Sequence, residues 1–132
     1  MTDLLAAASL LLTVITILYS IWYPEVSEAL KLPIDEHPLN NKEAHGKCRA
    51  LLMAKVIPLA IVATALCFIN FPDTWEIVID ATAQLRRPVH ADYSAVRTAF
   101  VVVELVLAFL AVHTIWTAKM LRQQVIKLNP GK

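Results

Sequence analysis

Three long runs of apolar residues, separated by two charged segments, set the pattern of this chain. The first runs from Leu4 to Trp22 without a charged side chain. At about 1.5 Å per helical residue, such a run crosses a hydrocarbon core of roughly 30 Å. The second extends from about Ala50 to Phe71, is interrupted by Lys55, and stops at Asn70-Phe71-Pro72-Asp73. The third extends from about Thr98 to Trp116 and contains Glu104 and His113. Tyr19, Trp22 and Tyr23, then Trp75, and then Tyr93 and Trp116 fall at the ends of the runs, where interfacial aromatic rings prefer to lie. The pattern predicts an all-α integral membrane protein with three transmembrane helices, at about 4–22, 50–71 and 98–116, in a single domain over residues 1–132.

The segments between the runs are long for helical hairpins, which predicts extra surface structure. In the first, Pro24 to Lys31 reads as a short interfacial helix with proline in its first turn and a Glu28/Lys31 pair. Pro33 and Pro38 then break it. Asn40 followed by Glu43 resembles a helix start, so a helix is expected to begin before the membrane and run into the second span despite Gly46. In the second loop, Asp73 or Thr74 is placed to cap another short interfacial helix through Leu85, with Trp75, Val78, Ile79 and Leu85 toward the lipid surface. The tail continues the third helix as a basic extension, with Trp116, Met120, Leu121, Val125 and Leu128 on one face, until Asn129-Pro130-Gly131 ends it. Before the first span, Asp3 stands where a signal peptide would be basic, and Tyr23-Pro24 follows where a small-residue cleavage site would lie, so the run reads as an uncleaved anchor.

Composition supports the choice of lipid as solvent: 58% of the 132 residues are hydrophobic and only 2 are glycine. Charge then sets orientation. Lys31, Lys42, Lys47 and Arg49 lie in the first loop and Lys119, Arg122, Lys127 and Lys132 in the tail, against Arg86, Arg87 and Arg97 in the second loop. Basic residues near span ends resist translocation, so the expected topology is N-terminus outside and C-terminus cytoplasmic, in a plasma (inner) membrane. Lys119, Arg122 and Lys127 form a small basic group beside a span, which suits lipid headgroups better than nucleic acid.

Polar groups inside the spans are the candidates for function. Ala6, Ser9, Thr13, Thr16, Ser20 and Tyr23 alternate spacings of three and four, which puts small and hydroxyl side chains on one helix face. Such a stripe lets backbones approach closely and predicts a packing face, first of all toward the other two spans of the same chain. Because three short spans bury little surface by themselves, a homo-oligomer or a larger membrane protein partner is also expected. Ionisable residues within spans are costly and point to function. Lys55 is close enough to one end to snorkel to headgroups, with Pro58 bending the helix nearby. Glu104 lies about 9 Å below the boundary and cannot snorkel as far. His113 is two and a half turns from Glu104, so the two project from opposite faces of one helix.

Two classes of function follow. The first is a small non-catalytic accessory or scaffold subunit of a membrane complex. The second is a homo-oligomeric channel or pore in which Glu104, and with it His113, faces a shared aqueous path. No cofactor is expected: a haem or quinone held through His113 is the lesser reading, since one ligand per chain needs a partner to supply the other. His45 and Cys48, with His37 upstream, are weak metal candidates whose spacing matches no compact zinc pattern, so no metal is expected. No phosphate loop, paired intramembrane carboxylates or nucleophile with a base in reach is present, and no enzyme is expected.

Overall fold

A computed structural model describes residues 2–34, 41–85 and 95–129 of the chain. The described residues form three long helical rods. The first is α1 (Thr2–Leu30). The second rod is continuous and has three parts: α2 (Asn41–Leu51), a π-helical segment (Leu52–Val56) and α3 (Ile57–Leu85). The third is α4 (Ala95–Lys127). Each rod is long and apolar enough to cross a membrane, which makes this a small membrane protein.

The rods outrun the bilayer. The second is helical over the 43 residues Asn41–Ala83, about 64 Å at 1.5 Å per residue and twice the thickness of a hydrocarbon core. The helix expected to start near Asn40 and enter the second span is present. The separate interfacial helices expected at Pro24–Lys31 and Asp73–Leu85 are not: α1 runs on through Pro24, and α3 runs on through Pro72. A proline inside a helix removes one backbone hydrogen bond. Ending the helix at that depth would instead orphan several N–H and C=O groups beside lipid, so continuation is the cheaper outcome.

Pro58 acts differently. Its ring crowds the carbonyl one turn earlier and it has no N–H to donate. The turn just before it is π-helical, and the Ile57 N–H reaches back five residues to the Leu52 carbonyl. The expected distortion at Pro58 is therefore a register shift of the helix.

The core is assembled on α4. Its buried residues Phe100, Glu104, Leu107, Ala111, Thr114, Thr117 and Leu121 recur at intervals of three and four, the repeat of a packed helical seam. Toward the middle, Ile15, Leu59, Ala63, Leu107 and Ala111 form one cluster, with Ala63 fully buried. The alanines let α3 and α4 approach closely, as expected where lipid offers no hydrophobic drive to associate. One end is closed by Ala8, Ile77 and Phe100. The other is closed by Val26, Ala29, Cys48, Leu52, Leu121 and Leu128 among others. Of the tail residues placed on one face, Leu121 and Leu128 are buried, but Trp116 is 58% and Met120 40% exposed, so the inward face is rotated toward Thr117 and Gln124.

Candidate functional site: polar contacts across the bundle

α1 presents two faces of the same period. Ala8, Leu12, Ile15, Tyr19, Trp22, Val26 and Ala29 face the bundle as buried or half-buried residues. Ser9, Thr13, Thr16, Ser20 and Tyr23 each follow one of them by one position, about 100° around the helix. Ala6, Thr13, Thr16, Ser20 and Tyr23 are exposed and Ser9 is half-buried. From Ala6 to Ser20 the stripe is thus not the face that α1 packs on the rest of its own chain, a correction to the first expectation for it, while at its end the Tyr23 ring lies 6.2 Å from that of His113 on α4. Periodicity identifies a stripe but carries no sign for which of two stripes turns inward. The hydroxyls of Thr13, Thr16 and Ser20 donate to the carbonyls of Ser9, Leu12 and Thr16 at 2.8 Å, so each is satisfied on its own helix.

Glu104 is buried, and the Asn70 side-chain amide donates to its Oε2 at 3.2 Å. The contact joins α3 to α4. His113, on the opposite face of α4, joins α4 to α1 through a 2.7 Å hydrogen bond between its Nδ1 and the Tyr19 hydroxyl. If the phenol donates, the imidazole proton resides on Nε2. Four aromatic rings surround the imidazole: Tyr19 edge-on at 5.6 Å, and Tyr23, Phe109 and Trp116 each at 6.2 Å. Glu104 and His113 are therefore separate interhelical contacts and share no hydrogen bond.

Lys55 forms an ion pair with Glu25 across the α1 seam, where the sequence suggested snorkelling to headgroups. The Gln124 side-chain amide donates to the Leu32 carbonyl at 3.2 Å, tying the tail of α4 to the segment after α1. At the far end, Arg97 pairs with Asp80 at 3.5 Å. Among the described residues, no buried side-chain nitrogen or oxygen lacks a hydrogen-bond partner.

The remaining candidates stay apart. Cys48 is fully buried with its Sγ 3.6 Å from the Ala29 carbonyl, and His45 is half-buried. His37 lies outside the described residues, as do Arg86, Arg87 and Tyr93. Among the described residues, no three His, Cys, Asp or Glu side chains gather as a metal site would require. Lys119, Arg122 and Lys127 are exposed around the end of α4.

Asn70, Tyr19 and Glu25 are the partners that sequence reasoning missed. Asn70 sat in a segment read as a span end, Glu25 in one read as a short interfacial helix, and Tyr19 was read as an interfacial ring. The signal that could have found them is depth matching: in an antiparallel bundle, a polar group at one depth calls for another at that depth on the neighbouring helix.

Fold and contacts define a three-helix membrane bundle pinned by polar pairs at several depths. No protein family, curated protein or solved structure matches the chain.

Proposed function

We propose that this protein is a non-catalytic accessory or scaffold subunit of a membrane complex, and that the hydroxyl face of α1 is the surface it offers to its partner. The observation that carries the reading is the outward turn of that face. Only 11% of the most apolar window of α1 is buried by its own chain, against 28% and 22% for the other two rods. A helix facing lipid alone has no use for a stripe of small side chains, whereas helix contacts in membranes are enriched in them.

The pore reading draws no comparable support. Glu104 is 7% exposed and turned to Asn70 within one chain. His113 is likewise taken up by Tyr19.

The test is a mass measurement on protein extracted from its own membrane in mild detergent. The expected particle exceeds one copy of the chain and contains a partner in fixed ratio. Thr13→Leu with Thr16→Leu should release a folded single chain, because both positions point away from the bundle. A wild-type particle of one copy, or an unchanged particle in the double variant, would overturn the proposal.

A further inference from the structure

Where α1 meets α2 and the π segment, an open groove of about 560 Å³ runs along the seam. This lies in the range of small-molecule sites, roughly 300–1,000 Å³. No α4 residue lines it. One wall comes from Glu25, Glu28, Ala29 and Leu32, and the other from Lys47, Ala50, Leu51, Ala54 and Lys55. Among the described residues, acids stand on one wall and bases on the other, two of each, around a lining of alanine and leucine. The alanines leave the space: longer side chains at Ala50 and Ala54 would fill it.

The π segment shapes the basic wall. In an unbroken α-helix, Lys47 and Lys55 would point about 80° apart, since eight residues advance 800°. A π turn takes up about one residue more than an α turn, which brings the two lysines to within about 20° of one line. Lys55 reaches across to Glu25 and closes one end of the groove. Lys47 pairs at 2.8 Å with Glu43 on its own helix and stays 65% exposed in its side chain. Glu28, exposed on the facing wall, has no ion pair among the described residues.

The groove also has a definite depth. The uncharged run of α1 ends at Trp22 and the second apolar run begins at about Ala50, so the lining straddles the boundary where hydrocarbon gives way to charge. Met53, next to Ala54 in the chain, is apolar and 61% exposed.

From this arrangement we propose that the groove is a binding site for the headgroup of a zwitterionic phospholipid with a primary amine, of the phosphoethanolamine type. The phosphate lies toward Lys47 and Lys55, the ammonium toward Glu28 and Glu25, and the acyl chains leave along Ala54 and Met53. A lining with equal numbers of acids and bases complements a zwitterion, whereas an anionic headgroup leaves the glutamates opposed. The primary ammonium donates hydrogen bonds to carboxylates; a trimethylammonium headgroup has no N–H to donate. The inference stands independently of what covers the outer face of α1.

Native mass spectrometry of the whole chain, released from detergent with added lipid of defined headgroup, tests it. One phosphatidylethanolamine should be retained per chain, with about tenfold preference over phosphatidylcholine, the size expected for one charge-assisted hydrogen bond. Glu28→Gln should erase most of that preference, and Lys47→Gln, facing the phosphate that both headgroups carry, should lower retention of both lipids severalfold. Ala54→Trp, which fills the groove and leaves every charge in place, should abolish retention while the helical circular dichroism stays unchanged. Soluble phosphoethanolamine should not compete at matched concentration. Equal retention of the two lipids, preference for phosphatidylglycerol, full retention in Ala54→Trp, or competition by the soluble headgroup would each overturn the proposal.

Discussion

Glu104 and Asn70 show what a single polar pair does inside a bilayer. A carboxyl in hydrocarbon needs a partner more than it would in water, because no solvent stands ready to replace a lost bond. Interhelical hydrogen bonds in membranes nonetheless measure modestly, since the unfolded chain in lipid also finds partners. A double-mutant cycle with Asn70→Leu and Glu104→Leu should return a coupling of about 0.6–1.7 kcal/mol, read from unfolding in mixed detergent micelles. A coupling of zero would show that the two side chains act separately. Tyr19→Phe removes the hydroxyl bound to His113 Nδ1 and should cost about 0.5–1.5 kcal/mol in the same assay. Tyr23→Phe, which keeps the ring contacts, is the control. Glu104, His113 and Lys55 were legible in the sequence because an ionisable residue in an apolar run stands out locally. Their partners were not, because a partner is defined by the depth of another helix.

The helices behave as bilayer-length rods, and their prolines are read through that fact. Pro24 and Pro72 look like boundaries in a water-soluble helix, yet α1 and α3 pass through both. Pro58 leaves a visible mark, the π turn over Leu52–Val56. If Pro58 sets that turn, Pro58→Ala should restore an α register and rotate Asn41–Leu51 by about 100° relative to α3. Cys48, now fully buried against Ala29, would then swing outward. In a Cys67→Ala background, maleimide labelling of Cys48 should be slow in the parent and at least severalfold faster with Pro58→Ala. Equal protection in both would assign the π turn to packing of α2 on α1 instead of to the proline.

At the scale of the whole molecule, three membrane-crossing rods put the two termini on opposite sides. From the distribution of lysine and arginine we propose the direction: N-terminus outside and tail inside. Thr82, exposed near the end of α3, and Lys119, exposed on α4, lie toward opposite ends of the bundle and serve as reporters. In a cysteine-free background, Thr82→Cys should react with an impermeant thiol reagent applied to intact cells, and Lys119→Cys only after the membrane is opened. The reverse result would invert the topology.

The number of spans, their approximate extent and the identity of the ionisable groups within them were determined by the sequence alone. The reason is that lipid makes a local demand: every backbone group must be bonded within its own helix, and every buried charge registers against its neighbours in the chain. Only the tertiary structure decided which face of α1 turns inward. Two stripes of identical period lie one residue apart, and in lipid no hydrophobic force separates them; packing of Ile15, Tyr19 and Val26 against α3, α4 and the π segment does. The same packing paired Glu104 with Asn70 and Lys55 with Glu25. It also turned the hydroxyl stripe, which the sequence offered as an internal seam, into the outer face of the bundle.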